Sequence, residues 1–217
     1  MFEFAKTPLR WMLLGICVAI VSGCAVSFAE PAPRPVYYVL TAVPEAGAGQ
    51  DAGGPPHHRG PAGPVVGVAP VSVPDYLDTP LIVARNTPNT LARADAHNWG
   101  ASLADNLAEV LADNLGVMVP TNRVTVLPGG PLVRTDFQVS VTVTKFERDV
   151  DGLVTLIARW ALFGEDGVDL ITMRRSVFRE PAPADDYDAI VAAMSRTVAQ
   201  LSAEIAAAIS GPRQGNV

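Results

Sequence analysis

From Phe137 to Thr144 apolar and polar residues alternate without a break: Phe137, Val139, Val141 and Val143 against Gln138, Ser140, Thr142 and Thr144. A period of two predicts a strand with one buried and one wet face. Asp151-Gly152 then turns the chain into the apolar run Leu153 to Phe163, and Asp166-Gly167 turns it again into Asp169 to Glu180. Asp-Gly between apolar alternations is a hairpin signal, because both residues tolerate positive φ. The three segments read as an antiparallel meander. Trp160 alternates with Leu156, Ala158 and Leu162 and is expected in the core. Thr155, Arg159 and Arg174 are counted onto the opposite, open face, to be solvated or to meet a partner.

Two segments follow the helical period instead. Leu103, Leu107, Val110, Leu111 and Leu115 fall within about 140° of arc at 100° per residue, with Asp105, Asn106, Glu109 and Asp113 on the other side. Ser102 is placed to cap this helix and Gly116 to end it. Ile190, Met194, Val198, Leu201, Ile205 and Ile209 fall within about 100°, which predicts a long helix over Tyr187 to Ile209. Asp185, Asp186 and Asp188 sit at its start, where carboxylates favour the positive end of the dipole; this fits better than a metal site. Val36 to Ala42, Val65 to Pro74 and Arg123 to Leu127 read as further strands, and "NTLARADAHNWG" as the approach to the first helix. The expected fold is α/β (α+β): a two-layer sandwich, a mostly antiparallel sheet with both helices on one face. The order of strands, helix, meander and helix excludes a doubly wound arrangement. One domain spans 36–210, with a tail over 211–217.

Residues 44–64, "PEAGAGQDAGGPPHHRGPAGP", are dense in Gly and Pro and read as a flexible insertion. His57 and His58 lie in it; as adjacent residues they point apart and lack a ligand cluster, so a solvated loop is expected, not a metal site.

The N-terminus changes the picture. Lys6 and Arg10 precede an apolar stretch from Trp11 to Val21, which suits a signal sequence and is short of the ~20 residues a membrane span needs. It closes on Val21-Ser22-Gly23-Cys24, a lipobox-like run in which small residues admit the peptidase and the Cys24 thiol accepts a lipid. Residues 1–23 are thus expected to be a lipoprotein signal peptide and 24–35 an acylated, Pro-rich tether reaching about 30 Å. A plain secretory signal or short anchor with Cys24 incidental is the competing reading. Cys17 is a poor rival, because Ile16 before it is bulky. Ala25 lacks the Asp that retains such proteins at the inner membrane of enteric bacteria, so the outer membrane is favoured.

Hydrophobic residues make up 49% of the 217, enough for a packed core, and the net charge of -6 is spread along the chain. With no accumulating basic patch, a nucleic-acid surface is not expected. No catalytic constellation is visible either. His97, beside Trp99, has no nucleophile in a recognisable elbow and reads as a surface or capping residue, and neither Gly pair is followed by the Lys-Ser/Thr of a phosphate loop. Neither enzymatic activity nor a cofactor is expected beyond the covalent lipid on Cys24.

Several segments together carry a resemblance: "YYVLTA", "VVGVAPVSVPDYLDTPLIVAR", "NTLARADAHNWGASLADNLAEVLADNL", "FQVSVTVTKFERDVDGLVTLIARWALF" and "DYDAIVAAMSRTVAQLSAEIA". Its most specific pieces are Pro74-Asp75-Tyr76-Leu77-Asp78 and His97-Asn98-Trp99. The chain resembles the paraquat-inducible protein C family (PqiC), the ABC-type transport auxiliary lipoproteins; the insertion at 44–64 is longer than usual there. The resemblance implies a periplasm-facing lipoprotein of a lipid-transport system built on mammalian-cell-entry (MCE) domains. Such a protein docks at or steadies the transport tunnel near the outer membrane, with an MCE-domain protein as partner, as a homo-oligomer. In that setting "DYLDTPLIVAR" is expected to be an exposed segment for self-assembly or partner contact, through Asp75, Tyr76, Leu77, Asp78, Leu81, Ile82, Val83 and Arg85. An ordinary paired strand is the alternative. A rival function is a lipoprotein holding a lipid between helices and sheet, against Leu107, Met194 and Trp160; an unrecognised hydrolase is a third.

Overall fold

A computed structural model describes residues 34–44, 63–121, 123–127 and 134–211, with the side chain of residue 166 excepted. The chain divides into two units, Met1–Arg34 and Pro35–Val217. The first lies outside the described residues but for Arg34, and the second carries the fold. The signal peptide, Cys24, nearly all of the tether, most of the insertion and most of the tail lie outside the described residues.

The strands are β1 (Val36–Tyr38), β2 (Val66–Val68), β3 (Leu81–Thr87), β4 (Thr90–Trp99), β5 (Val124–Val126), β6 (Phe137–Arg148), β7 (Leu153–Phe163) and β8 (Leu170–Pro181). The described helices are α1 (Leu103–Met118) and α2 (Tyr187–Ser210). Among the described residues eight strands join one sheet in the order β1-β4-β3-β6-β2-β5, with β7 on β6 and β8 on β7. The architecture is therefore mixed α/β, with a mixed sheet.

The expectation of a mostly antiparallel sheet is corrected. Pairings β1–β4, β2–β5, β2–β6 and β3–β6 are parallel, against the antiparallel β3–β4, β6–β7 and β7–β8. The antiparallel pairings join strands adjacent in the chain, and Asp-Gly turns announce the two of the meander. The parallel ones join strands far apart in the chain, and no local pattern specifies which will meet.

β6 is the spine. One edge carries β7 from Gln138 to Arg148, with a register shift between Val143 and Lys145. The other edge is shared: β2 pairs with residues 137–139, Ser72 bridges Thr142, and β3 meets it at one register pair, Ala84↔Arg148. The meander forms as its turns predict, with Gly152 and Gly167 at φ 78° and 76°.

β4 is the element that pattern reading misses. Leu91, Arg93 and Asp95 are exposed while Ala92, Ala94 and Ala96 turn inward to differing degrees, a period of two drawn in alanine, a helix former. Thr87 pairs with Thr90 across a two-residue turn, so β3 and β4 form a hairpin.

α1 is capped as expected, the Ser102 hydroxyl accepting from the Asp105 N–H at 3.4 Å. It runs through Gly116 to Met118, because what stops it is Pro120, which follows the cap residue Val119 and has no N–H to give. Asp186 caps α2, accepting from the Ala189 N–H at 2.9 Å. α2 lies on β6, β7 and β8, α1 on β2 and β5, and the helices pack together. One buried cluster runs through Leu107, Leu111, Met194, Leu201, Val141 and Trp160. Trp160 is 1% exposed, and its Nε1–H donates to the Ser176 hydroxyl at 3.1 Å. Arg174 is corrected to Trp160's side of the sheet: it is Trp160's register partner, its guanidinium lies 5.9 Å from the indole centroid, and it reaches Glu204 of α2.

Trp160→Ala is expected to lower stability by about 3–5 kcal/mol in urea unfolding, since it empties the centre of the core. Trp160→Phe is expected to cost less, the difference reporting the lost hydrogen bond and the residual cavity.

Candidate functional site

The segment from Asp75 to Arg85 begins in a turn, with the Leu77 N–H donating to the Pro74 carbonyl at 2.9 Å. Asp75 and Asp78 are exposed there and Tyr76 half-buried. Leu77, Ile82 and Val83 are 2, 1 and 5% exposed and belong to the core cluster, while Leu81 is half-buried. β3 lies between β4 and β6, with Leu81, Val83, Ala84 and Arg85 all in register with β4. The expectation that this segment is exposed is therefore corrected for Leu77, Ile82 and Val83, and holds for Asp75 and Asp78. Its apolar side chains are consumed by the core and its backbone by β4.

What the segment does instead is seen at its two polar ends. The Glu147 carboxylate, near the end of β6, is fully buried. The Tyr76 hydroxyl donates to Oε2 at 2.8 Å, and Arg85 donates to Oε1 from Nε at 2.9 Å and Nη2 at 2.7 Å. The remaining guanidinium nitrogen, Nη1, donates to the Pro88 carbonyl at 2.9 Å, tying the hairpin tip to the same group. Burial, reinforced by the bond to Glu147, pushes the Tyr76 hydroxyl well above the ordinary phenol range. Two residues on, Asp149 accepts from Thr155 Oγ1 at 2.7 Å and pairs with Lys145. Burial alone would raise the Asp149 carboxyl; the hydrogen bonds from Lys145 and Thr155 and the nearby Arg85 outweigh it and hold the carboxyl below its usual range.

The two most specific sequence pieces meet beside this network. Trp99 donates its N–H to the Pro80 carbonyl at 2.7 Å. Asp78, Thr79, Pro80, Trp99 and the start of α1 line a depression of about 220 Å³. His97 is neither capping nor free at the surface. Its Nδ1 is 2.9 Å from the Tyr38 hydroxyl and its ring stacks on Tyr187 at 3.8 Å, joining β1, β4 and the first turn of α2. Burial raises the Tyr38 and Tyr187 hydroxyls, and the carboxylates of Asp188 and Asp186 add to it for Tyr38, those of Asp185 and Asp95 for Tyr187.

Sequence reasoning placed Asn106 on the polar side of α1. It is buried instead, where its Oδ1 accepts the Leu40 N–H at 2.7 Å. Asn114 accepts from the Val43 N–H at 2.8 Å and donates to the Ser202 hydroxyl at 3.1 Å. Glu147 and Asp149 were missed altogether; their only signal is that the alternation of β6 breaks after Thr144. Leu107, Met194 and Trp160, the residues expected to line a lipid groove, are 1, 2 and 1% exposed and packed within the core. Among the described residues no group of His, Cys, Asp and Glu is placed to hold a metal. Among them, too, no helix is long and apolar enough to cross a membrane.

Fold and site together define a mixed α/β domain whose converging polar side chains bind its own elements to one another. The chain belongs to the family of ABC-type transport auxiliary lipoprotein components, which it matches over residues 38–206. Membership makes it an auxiliary lipoprotein of ABC-type transport, anchored to a membrane of the cell envelope. No curated protein matches the sequence. Among solved structures it is similar to an uncharacterized protein at 26% identity, with a TM-score of 0.63, over 82% of this chain and 100% of that one. It is also similar to a Xanthomonas campestris protein of the DUF330 family at 19% identity, with a TM-score of 0.62, over 79% and 92% of the two chains.

Removing Arg85 as Arg85→Met leaves a buried carboxylate without its cation and is expected to cost about 3–5 kcal/mol. The triple change Tyr76→Phe, Arg85→Met, Glu147→Leu is expected to recover most of that loss in the same chemical denaturation. Because the Asp149 carboxyl is held low in the folded state, its contribution is complete above the ordinary carboxyl range, near pH 4, and lost as the pH falls through the lowered folded value. Asp149→Asn is expected to flatten the fall in denaturation midpoint below about pH 4.

Proposed function

We propose that this chain is a periplasm-facing accessory subunit of an MCE-type intermembrane lipid-transport system, held by lipid on Cys24 and docking or stabilising the transport tunnel near the outer membrane. The observation that carries this reading is the family match, which runs from the last residue of β1 into the final turns of α2 and so takes in nearly the whole described fold. An auxiliary lipoprotein of a transporter works by holding a position between molecules, and the distribution of polar groups suits that task. The titratable side chains that converge in this domain are spent on partners within it: Glu147 on Tyr76 and Arg85, Asp149 on Lys145 and Thr155, and His97 on Tyr38 and Tyr187. In this reading the protein carries out no reaction, and copies of it assemble with each other and with an MCE-domain partner.

Two measurements test the proposal. Mass spectrometry of the mature protein is expected to find a lipid-modified Cys24 at the N-terminus, and Cys24→Ser to leave the protein unprocessed and without incorporated radiolabelled palmitate. Crosslinking in intact cells is expected to capture an MCE-domain protein. An unmodified Cys24, or crosslinks that never include such a protein, would overturn the reading.

A further inference from the structure

The open face of the meander, turned away from the helices, carries an arrangement that the fold itself does not use. Arg159 on β7 and Arg175 on β8 are direct register partners, and Thr142 on β6 completes the row. Arg179 follows four residues along β8, and all three arginines are exposed. Like charges set opposite one another across a strand pair destabilise a sheet. Among the described residues, no hydrogen bond or ion pair joins any of these three arginines to a carboxylate. The contrast with the other face is clear. There Arg174 reaches Glu204, and Arg196 pairs with Glu180 at 2.9 Å.

A row of the opposite sign lies on α1. Asp105, Glu109 and Asp113 are spaced by four, exposed, and on one side of a helix that has no Lys or Arg anywhere in its length. Like-charged neighbours at that spacing destabilise a helix, and among the described residues no cation pairs with their side chains. The stripe spans about 12 Å at 1.5 Å per residue. The arginine row from Arg175 to Arg179 spans about 13 Å at ~3.3 Å per residue. One row is on the sheet surface away from the helices and the other on the helix surface away from the sheet, so they do not meet within a chain.

We infer that the arginine row of Arg159, Arg175 and Arg179 docks on the Asp105, Glu109 and Asp113 stripe of a second copy of this chain. The contact is heterologous, head to tail, so it propagates into a closed ring or a filament. A membrane is the less suited occupant, because Glu165 and Asp169 flank the adjoining turn and anionic lipid would repel them. The inference rests on the self-assembly part of the transport reading and names the surfaces that would carry it.

The test uses the full-length protein purified in detergent, with its mass followed by analytical ultracentrifugation and native mass spectrometry. The wild type is expected to assemble at low salt and to dissociate as salt rises from about 0.05 to 0.5 M. R159E/R175E and E109K/D113K are each expected to weaken association by about tenfold or more. Mixing the two variants is expected to restore it, because each then offers the complement of the other's altered face. R159Q/R175Q, which relieves the repulsion within the sheet, is expected to weaken association while its melting temperature holds or rises; this separates loss of docking from loss of fold. Assembly indifferent to all these changes would overturn the interface and leave self-assembly standing. A wild type monomeric at every concentration would overturn both. Loss on arginine reversal with none on reversal of α1 would assign the arginine row to another molecule and overturn the inference.

Discussion

The joint between β3 and β6, where the backbone pairs least, is reinforced by a single buried carboxylate. β3 and β4 form a hairpin with β1 at its side, and β6, β7 and β8 form a meander; the backbone joins β3 to β6 at one register pair. Glu147 supplies the rest. Its two oxygens accept from Tyr76, before β3, and from Arg85, within it, so that the turn before β3, β3 itself and β6 converge on one charged group. A carboxylate withdrawn from water is costly unless its lone pairs are filled, which makes this junction intolerant of partial change and fixes its geometry closely.

That demand accounts for the character of the segment between Asp75 and Arg85. Its acidic start, half-buried tyrosine, apolar run and terminal arginine look, as a string, like a motif on display. In three dimensions the apolar run is core, and the tyrosine and arginine are the two hands of a clamp. The same use of polar side chains recurs elsewhere. Asn106, Asn114 and Ser195 accept backbone N–H groups from the chain after β1, and His97 bridges two tyrosines. The first three join elements that backbone hydrogen bonding leaves apart, and the stacking of His97 on Tyr187 does the same for β4 and α2.

What was legible in the sequence was what depends on neighbours in the chain. Both helices follow from the spacing of Leu107, Leu111 and Leu115 and of Ile190, Met194 and Val198, and the meander follows from Asp151-Gly152 and Asp166-Gly167. β4 escaped because its inward residues are alanines, whose intrinsic preference is for helix and whose small side chains leave a faint alternation. The parallel pairings escaped because register between distant strands is set by tertiary packing. Glu147 escaped for a related reason: a lone glutamate in "KFERD" gives no local hint that Tyr76, some seventy residues earlier, will come to it. Asn106 shows the reverse error, a polar residue counted to the wet side of α1 although a buried backbone N–H awaited it.

The chain after β1 has a mechanical consequence. Leu40, Thr41 and Val43 are fastened in succession to Asn106 of α1, Ser195 of α2 and Asn114 of α1, directly after β1 has paired in parallel with β4. A pull arriving along the polypeptide from Arg34 would meet these fastenings as a set sharing the load, spread across both helices and the sheet. The pairing of β1 with β4 would take that tension first, and the fastenings behind it would keep any peeling of β1 from running on along the chain.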